Sequence, residues 1–443
     1  MTNSSADYVD YANRPSSARY VVLALLCAAA LSAYVARNCI GVAEANVSEE
    51  LGLSLEQMGW VMGSFFWSYA LMQIPGAWLG QRWGSRRALA FYAVVWSLAT
   101  LGMGVAGGMV TLLTARIVLG MAQAGLFPCS INTISHWIPG SRTAMASGLL
   151  GGFMSIGGVI ANALTGLLLY WSLSYHLIFA LYALPGVLWG VAFYVWFRDR
   201  PGQHRCVNPA ELALITAERS TDADWTNPAE PTPWRRIVTS PAMWFICGQQ
   251  FLRSVGYVFY ATWFPKFLTE TRGVSIAEAG LLSSLPLVAI IVGSPVGGVI
   301  VDAVWNRTHS RRWSRQAMGV VSMLLCGGLI FAAYFANSAI TAVLLISAGS
   351  FWAGAAGSCG YAITIDMGGN HVPTVFGIMN MIGNFGAAVC PVVVAWIVEA
   401  TDGNWPIVLC FFALVYLAAA ACWAMLNPNG CITQVKPMRD HDT

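Results

Sequence analysis

The sequence predicts an all-α membrane protein of twelve transmembrane helices, arranged as two six-helix halves related by pseudo-symmetry. Three observations carry this expectation. Of the 443 residues, 57% are hydrophobic and 10% are charged, whereas a soluble domain has roughly 25% charged residues. Apolar runs long enough to cross a bilayer, about 20 residues each, recur from Arg19 to Met425 with short polar breaks. A polar stretch near the middle divides the runs into two equal sets.

Residues 1–19 read as a polar, cytoplasmic tail that enters a full-length span without a small-residue cleavage pattern, so no removable signal peptide is expected. The first bundle, 20–197, holds spans near 20–42, 58–80, 87–106, 109–132, 143–170 and 174–197. Residues 198–240, rich in Pro, Asp, Glu and Arg, read as a cytoplasmic linker. The second bundle, 241–426, holds spans near 241–268, 279–303, 316–336, 338–365, 373–400 and 405–426. A cytoplasmic tail, 427–443, follows.

Weak internal similarity supports duplication of one six-helix unit. Gly76-Ala-Trp-Leu-Gly80-Gln-Arg82-Trp-Gly84-Ser-Arg86-Arg87 ends the second span, and Gly297-Gly298-Val-Ile-Val-Asp302 with Arg307, Arg311 and Arg312 ends the eighth.

Basic residues set the orientation. Arg14, Arg19, Arg82, Arg86, Arg87, Arg142, Arg198, Arg200, Arg205, Arg219, Arg235, Arg236, Arg307, Arg311, Arg312, Arg315, Lys436 and Arg439 fall on one side of the predicted spans. Only Lys266 and Arg272 fall on the other, among acids such as Glu49, Glu50, Glu56, Glu270, Glu278, Glu399 and Asp402. Both termini are therefore expected in the cytoplasm of a multi-pass protein of the plasma membrane, the inner membrane of a bacterium.

Other function classes recede on composition. The net charge of +3 and the absence of a basic run interleaved with aromatics argue against nucleic acid. The eleven cysteines lack CxxC or metal-ligand spacing and read as small packing residues, so neither metal nor cofactor is expected. No Ser-His-Asp set at one depth and no phosphate-binding Gly loop point to an enzyme. The linker is too short for an output domain, which disfavours a receptor. A monomer surrounded by membrane lipid is expected.

Three arginines remain inside predicted spans: Arg37, Arg116 and Arg253. A charge at the bilayer centre costs about 2.5 kcal/mol or more, so such residues face a cavity or a partner. No acid falls at their depth. The nearest is Glu44, seven residues beyond Arg37 and about 10 Å away by helix rise. An Arg fork holds a carboxylate or phosphate through two parallel hydrogen bonds, so a mobile anion would complete the site. Tyr34, Tyr257, Tyr260, Gln249 and Gln250 lie near the arginine faces at helical spacing. Asn380 and Asn384 offer neutral hydrogen bonds from the eleventh span.

At these residues the chain resembles the major facilitator superfamily. Within it, the chain is similar to the anion:cation symporter branch of bacterial sugar-acid carriers, sialin and the vesicular glutamate carriers. Tyr34-Val-Ala-Arg37-Asn-Cys-Ile-Gly-Val-Ala43 is similar to the first-helix signature. Arg116-Ile-Val-Leu-Gly120-Met-Ala-Gln123-Ala-Gly-Leu-Phe-Pro128 resembles the fourth, Phe251-Leu-Arg253-Ser254 through Trp263-Phe-Pro265 the seventh, and Gly377-Ile-Met-Asn380-Met-Ile-Gly383 through Cys390-Pro391 the eleventh. The resemblance implies a major facilitator fold and a secondary transporter of small organic anions. It further implies substrate contacts at Arg37, Arg116, Arg253, Tyr34, Gln123, Tyr257, Gln250, Asn380 and Asn384.

The departures change the expected coupling. Proton-coupled members have Asp before the first-helix Arg and Glu seven residues after the fourth-helix Arg, where this chain has Ala36 and Gln123. Exchange of one anion for another is thus expected over proton symport, with Glu44 as a displaced coupling candidate; a co-transported ion stays open. The acid usual after the second span is Gln81, whereas Asp302 holds the equivalent place in the second half. Arg82, Arg86, Arg87 and Asp302 are the expected inner gate. Gly148, Gly151, Gly152, Gly157 and Gly158 would allow close helix approach in the fifth span. An organophosphate:phosphate antiporter and a non-transporting anion receptor are the alternatives. Against the former, Arg253 lies one turn earlier than the arginine of those exchangers, where this chain has Tyr257.

Overall fold

Hydropathy marks where a chain is apolar, but caps and prolines decide where its helices begin and end. The computed structural model describes residues 14–217, 231–430 and 432; Arg219, Lys436, Arg439 and His441 lie outside the described residues. The first half comprises α1 (Ala18–Leu51), α2 (Leu55–Leu71), α3 (Gln73–Trp83), α4 (Ser85–Gly104), α5 (Met109–Ala124), α6 (Leu126–Trp137), α7 (Thr143–Tyr170) and α8 (Tyr175–Trp196). Two short helices, α9 (Pro209–Thr216) and α10 (Trp234–Thr239), lie in the linker. The second half comprises α11 (Pro241–Thr262), α12 (Phe264–Arg272), α13 (Ile276–Thr308), α14 (Met318–Tyr334), α15 (Ala339–Gly368), α16 (Val372–Ala400) and α17 (Trp405–Met425).

Three expected spans are each two helices in line: α2 with α3, α5 with α6, and α11 with α12. Each break precedes a proline in the first turn of the following helix: Pro75, Pro128 and Pro265. Proline lacks the N–H that a helix interior needs, and the first turn tolerates it. Pro185, Pro286, Pro295 and Pro391 nonetheless lie inside unbroken helices. Proline therefore marks where a break is permitted, and packing decides whether it forms. Likewise α1 runs well past the end of its apolar stretch, to a cap at Gly52, whose φ of 62° is left-handed.

The halves repeat one packing pattern. The pairs α1–α7, α2–α5 and α4–α8 of the first half recur as α11–α16, α13–α15 and α14–α17 in the second. Between the halves, α7 packs on α13 and α3 on α16. Glycine permits this: a Cβ at Gly148 would lie 2.5 Å from the Ser294 carbonyl oxygen, and one at Gly298 would lie 2.5 Å from that of Ala144. Gly151 and Gly152 share this interface, whereas Gly157 and Gly158 face α1 within their own half.

Consecutive spans alternate in direction, so the linker and both described chain ends share one end of the bundle. There Glu211 of α9, fully buried, accepts the backbone N–H groups of Ala18 and Arg19 and pairs with the Arg19 guanidinium at 2.9 Å. Asn208 accepts from the Ser16 backbone N–H at 3.1 Å. A carboxylate at a helix start complements the dipole and its unpaired donors, so the linker is fastened to the root of α1.

Candidate functional site

Arg37 is held by aromatic rings. Its Nη1 donates to the Tyr34 hydroxyl at 3.1 Å, and its guanidinium lies 4.5 Å from the Phe65 ring centre and 5.0 Å from those of Tyr34, Phe66 and Tyr69. Ring quadrupoles attract the cation at about 0.5–2 kcal/mol per contact but add no negative charge. The group is thus positioned while its charge stays uncompensated.

Arg116 and Gln123, both on the α5 face toward α1, are buried. Arg116 Nη1 donates to the Arg37 carbonyl at 3.1 Å, and its guanidinium lies 4.9 Å from the Phe65 ring centre. Its Nε is buried without a protein partner. Gln123 Nε2 donates to the Ala33 carbonyl at 2.8 Å. These two side chains tie α5 to α1 around Arg37; Arg37 itself is only half-buried.

Arg253 stands on α11 in the opposite half. Its Nε and Nη2 donate to Gln250 Oε1 at 3.3 and 3.1 Å, and Tyr361 of α15 touches the same guanidinium. Gly357 leaves it room: a Cβ there would be 3.3 Å from Nη1. Tyr257, one turn further along α11, lies within electrostatic reach of both Arg37 and Arg253. Tyr34 stands in the same relation to Tyr69, Tyr257 and Tyr361. Phenols from both halves therefore cluster near Arg37 and Arg253.

Asn380 Nδ2 of α16 donates to the Tyr69 hydroxyl at 3.4 Å, and Asn384 Nδ2 donates to the Asn380 carbonyl at 2.8 Å. Glu44 is further along α1 and accepts from Ser48 Oγ at 3.0 Å within its own helix. Among the described residues, no acidic side chain pairs with Arg37, Arg116 or Arg253. Sequence reasoning missed Phe65, Phe66, Tyr69 and Tyr361. Phe65 and Tyr69 carry an i,i+4 signal on the second span, and Tyr361 is the one bulky residue in a run of Gly, Ala, Ser and Cys.

The four expected gate residues divide. Asp302 crosses between halves: its carboxylate accepts the backbone N–H groups of Ala144 at 3.2 Å and Met145 at 2.7 Å, at the start of α7. Arg315, 1% exposed, lies 3.8 Å from Asp302 and 2.9 Å from Asp366. Arg82, Arg86 and Arg87 act inside the first half instead. Arg82 stacks on Trp78, the Arg86 backbone donates to Asp199 at 2.9 Å and its Nε to the Tyr194 carbonyl at 2.7 Å, and Arg87 lies in electrostatic reach of Asp199. Burial raises the Asp199 carboxyl above the ordinary range, opposed by the backbone N–H groups of Arg86 and Ser85. Gln81 takes the pseudo-equivalent place of Asp302, accepting from Thr374 Oγ1 of α16 at 2.8 Å. Both cross-half contacts lie at the end of the bundle that carries the linker.

A model of the Major Facilitator Superfamily matches residues 26–309 and 246–440. A probable sulfoacetate transporter of Cupriavidus necator is 31% identical over 86% of this chain and 88% of its own length. A probable galactarate/D-glucarate transporter of Escherichia coli is 29% identical over 93% of each chain. Among solved structures, the proton:xylose symporter XylE aligns with a TM-score of 0.72 at 14% identity, over 92% of this chain and 96% of that one. The human organic anion transporter MFSD10 aligns with a TM-score of 0.67 at 13% identity, over 92% of this chain and all of that one.

Proposed function

The chain belongs to the Major Facilitator Superfamily, and on that premise we propose that it carries a small organic anion, a sugar acid or another carboxylate, across the plasma membrane by alternating access. One observation carries the reading: Arg37, Arg116 and Arg253 stand near one another where the halves meet and have no acidic partner among the described residues. An isolated cation in a low-dielectric cavity is costly, so a bound anion stabilises the site strongly. Arg37 and Arg253 supply the hydrogen bonds, Arg116 adds positive potential from behind, and Tyr34, Tyr257, Gln250, Asn380 and Asn384 offer neutral contacts. The names of the relatives, carriers of sulfoacetate and of sugar diacids, support an organic anion as cargo.

In this reading the linker, both termini and the α7–α13 and α3–α16 contacts are cytoplasmic, so the site faces outward. Rocking of the halves breaks the Asp302 contacts and opens the other side. Arg82, Arg86 and Arg87 brace the first half during that motion. An empty site leaves arginines unpaired, which favours anion exchange over return of the empty carrier. Glu44 is the coupling candidate if protons drive the cycle. The protein acts as a monomer in lipid.

Uptake into proteoliposomes tests this, with sugar acids, sulfoacetate and phosphate supplied with and without an internal anion and a pH gradient. Uptake stimulated by internal organic anion is expected. Stimulation by an inward proton gradient alone would overturn the exchange mechanism, and absence of any organic-anion uptake would overturn the carrier assignment.

A further inference from the structure

At the linker end of the second half, two arginine pairs have no carboxylate to meet them. Arg235 and Arg236 lie on α10, and Arg311 and Arg312 lie in the segment between α13 and α14. The described acids at this end of the half are Asp302 and Asp366, and Arg315 takes both. No ion pair among the described residues involves the other four arginines. The first half differs: Arg86 and Arg87, at the pseudo-equivalent place of Arg311 and Arg312, stand against Asp199.

Each unanswered pair adjoins an exposed indole. Trp234 precedes the first and is 42% exposed; Trp313 follows the second and is 64% exposed. Helix α10 turns Ile237 fully inward and leaves Trp234 and Val238, one helical turn apart, on its outer side. Trp244 of α11, 59% exposed, extends the stripe, and its indole N–H donates to the Val238 carbonyl at 2.8 Å. An apolar stripe bordered by cations suits the headgroup layer of a membrane, where indoles and arginines both settle.

The two clusters flank one helix end. Both α11 and α14 pack on α17, and Gln316 Nε2, just past Trp313, donates to the Ala424 carbonyl in the last turn of α17 at 2.8 Å. Between the α10–α11 corner and that end lies a cavity of about 280 Å³, walled by Ser240, Phe245, Met367, Met425 and Ile432. Met425 is also exposed on the outer surface of α17.

We propose that this rim binds an anionic phospholipid. The arginine pairs hold its phosphate, Trp234, Trp244 and Trp313 border its headgroup, and the start of an acyl chain enters the cavity beside Met425. Arginine forks grip phosphate through parallel hydrogen bonds, and the cytoplasmic leaflet is rich in anionic lipid. A zwitterionic lipid carries its own ammonium group and leaves the arginines unanswered. The linker is then fixed at both ends, to α1 through Glu211 and to the membrane through α10. The assignment rests on this end being cytoplasmic and is independent of the cargo.

The test is native mass spectrometry with thermal melting of the purified full-length chain, delipidated in detergent, using phosphatidylglycerol, phosphatidylcholine and inorganic phosphate as probes. Phosphatidylglycerol is expected to stay bound and raise the melting temperature, and the other two to do neither. Arg235→Gln with Arg236→Gln, and Arg311→Gln with Arg312→Gln, should each weaken phosphatidylglycerol binding by about tenfold or more. The matching lysine pairs should keep most of it. Arg200→Gln with Arg205→Gln, an equal loss of charge at the other end of the linker, should leave it within a few-fold. Melting without lipid separates loss of the site from loss of fold. Equal binding of phosphatidylcholine would overturn the proposal, as would stabilisation by inorganic phosphate alone. So would equal losses in all three glutamine pairs, which would reduce the site to diffuse surface charge. Each of these failures leaves the anion-carrier reading intact.

Discussion

The carboxylate of Asp302, in the second half, accepts the backbone N–H of Met145, in the first half, at 2.7 Å. With the Ala144 N–H it meets the start of α7, where unpaired donors and the helix dipole favour a negative charge, and it shares Arg315 with Asp366. Asp302→Asn replaces one of two acceptor oxygens, each facing a backbone N–H, with an NH2 group that cannot accept. The loss is about 1–3 kcal/mol, so single cysteines placed near this junction should become roughly tenfold or more accessible to a hydrophilic thiol reagent. Unchanged labelling would mean that the contact does not hold the halves together.

Arg37 should dominate anion affinity. Removing one partner of a desolvated charge pair costs about 2–5 kcal/mol, so Arg37→Gln should weaken binding by about 30-fold or more. Arg116→Gln should also abolish useful binding, through loss of potential and of its hydrogen bond to the Arg37 carbonyl. Retained affinity in both variants, measured by calorimetry, would remove the anion site from these residues.

The α7–α13 contact leaves no space for a side chain. A Cβ at Gly298 would lie 2.5 Å from the Ala144 carbonyl oxygen and 2.7 Å from Met145 Cα. Gly298→Val should therefore disfavour this closed arrangement by about 1–3 kcal/mol. Proteoliposome uptake should fall several-fold while the protein still inserts and purifies normally.

Gln73 is fully buried at the first turn of α3, with neither amide atom bonded to another protein group, and its carbonyl faces Gly377 of α16. An unpaired buried amide costs about 1–3 kcal/mol, a cost that opening this end would relieve. Gln73→Met should raise the melting temperature and slow uptake. A lower melting temperature would show that the amide has a stabilising role.

Exchange and proton symport part at Glu44. The residue is bonded to Ser48 on its own helix, away from the arginines, so Glu44→Gln should retain stimulation by internal anion and the pH profile of the unmodified protein. Loss of the pH dependence in this variant would assign coupling to Glu44.

Much of the candidate site was legible in the sequence because charge is scarce in an apolar chain. Arg37, Arg116 and Arg253 stood out against their neighbours, and the absence of an acid at their depth followed from locating every Asp and Glu. The collar around Arg37 was harder to see. Phe65, Phe66 and Tyr69 look like ordinary apolar residues of a span until the rotation of α2 brings them onto another helix. Tyr361 likewise gains its place from the glycines that let α15 approach α11. The gate was only partly legible: four charged residues shared one end of the bundle, but only Asp302 spans the halves.

The sequence by itself determined the all-helical membrane class, the twofold division and the uncompensated positive charge, since each follows from composition and spacing along the chain. Tertiary structure decided which arginine is open and which is buried. Arg116 and Arg37 have the same chemistry, and only the packing of α5 against α1 sets one behind the other. It also decided where the halves close, because two backbones can touch only where both helices present small residues at the same height. The arginines gave the charge of the site, and the fold decided which of them stays open.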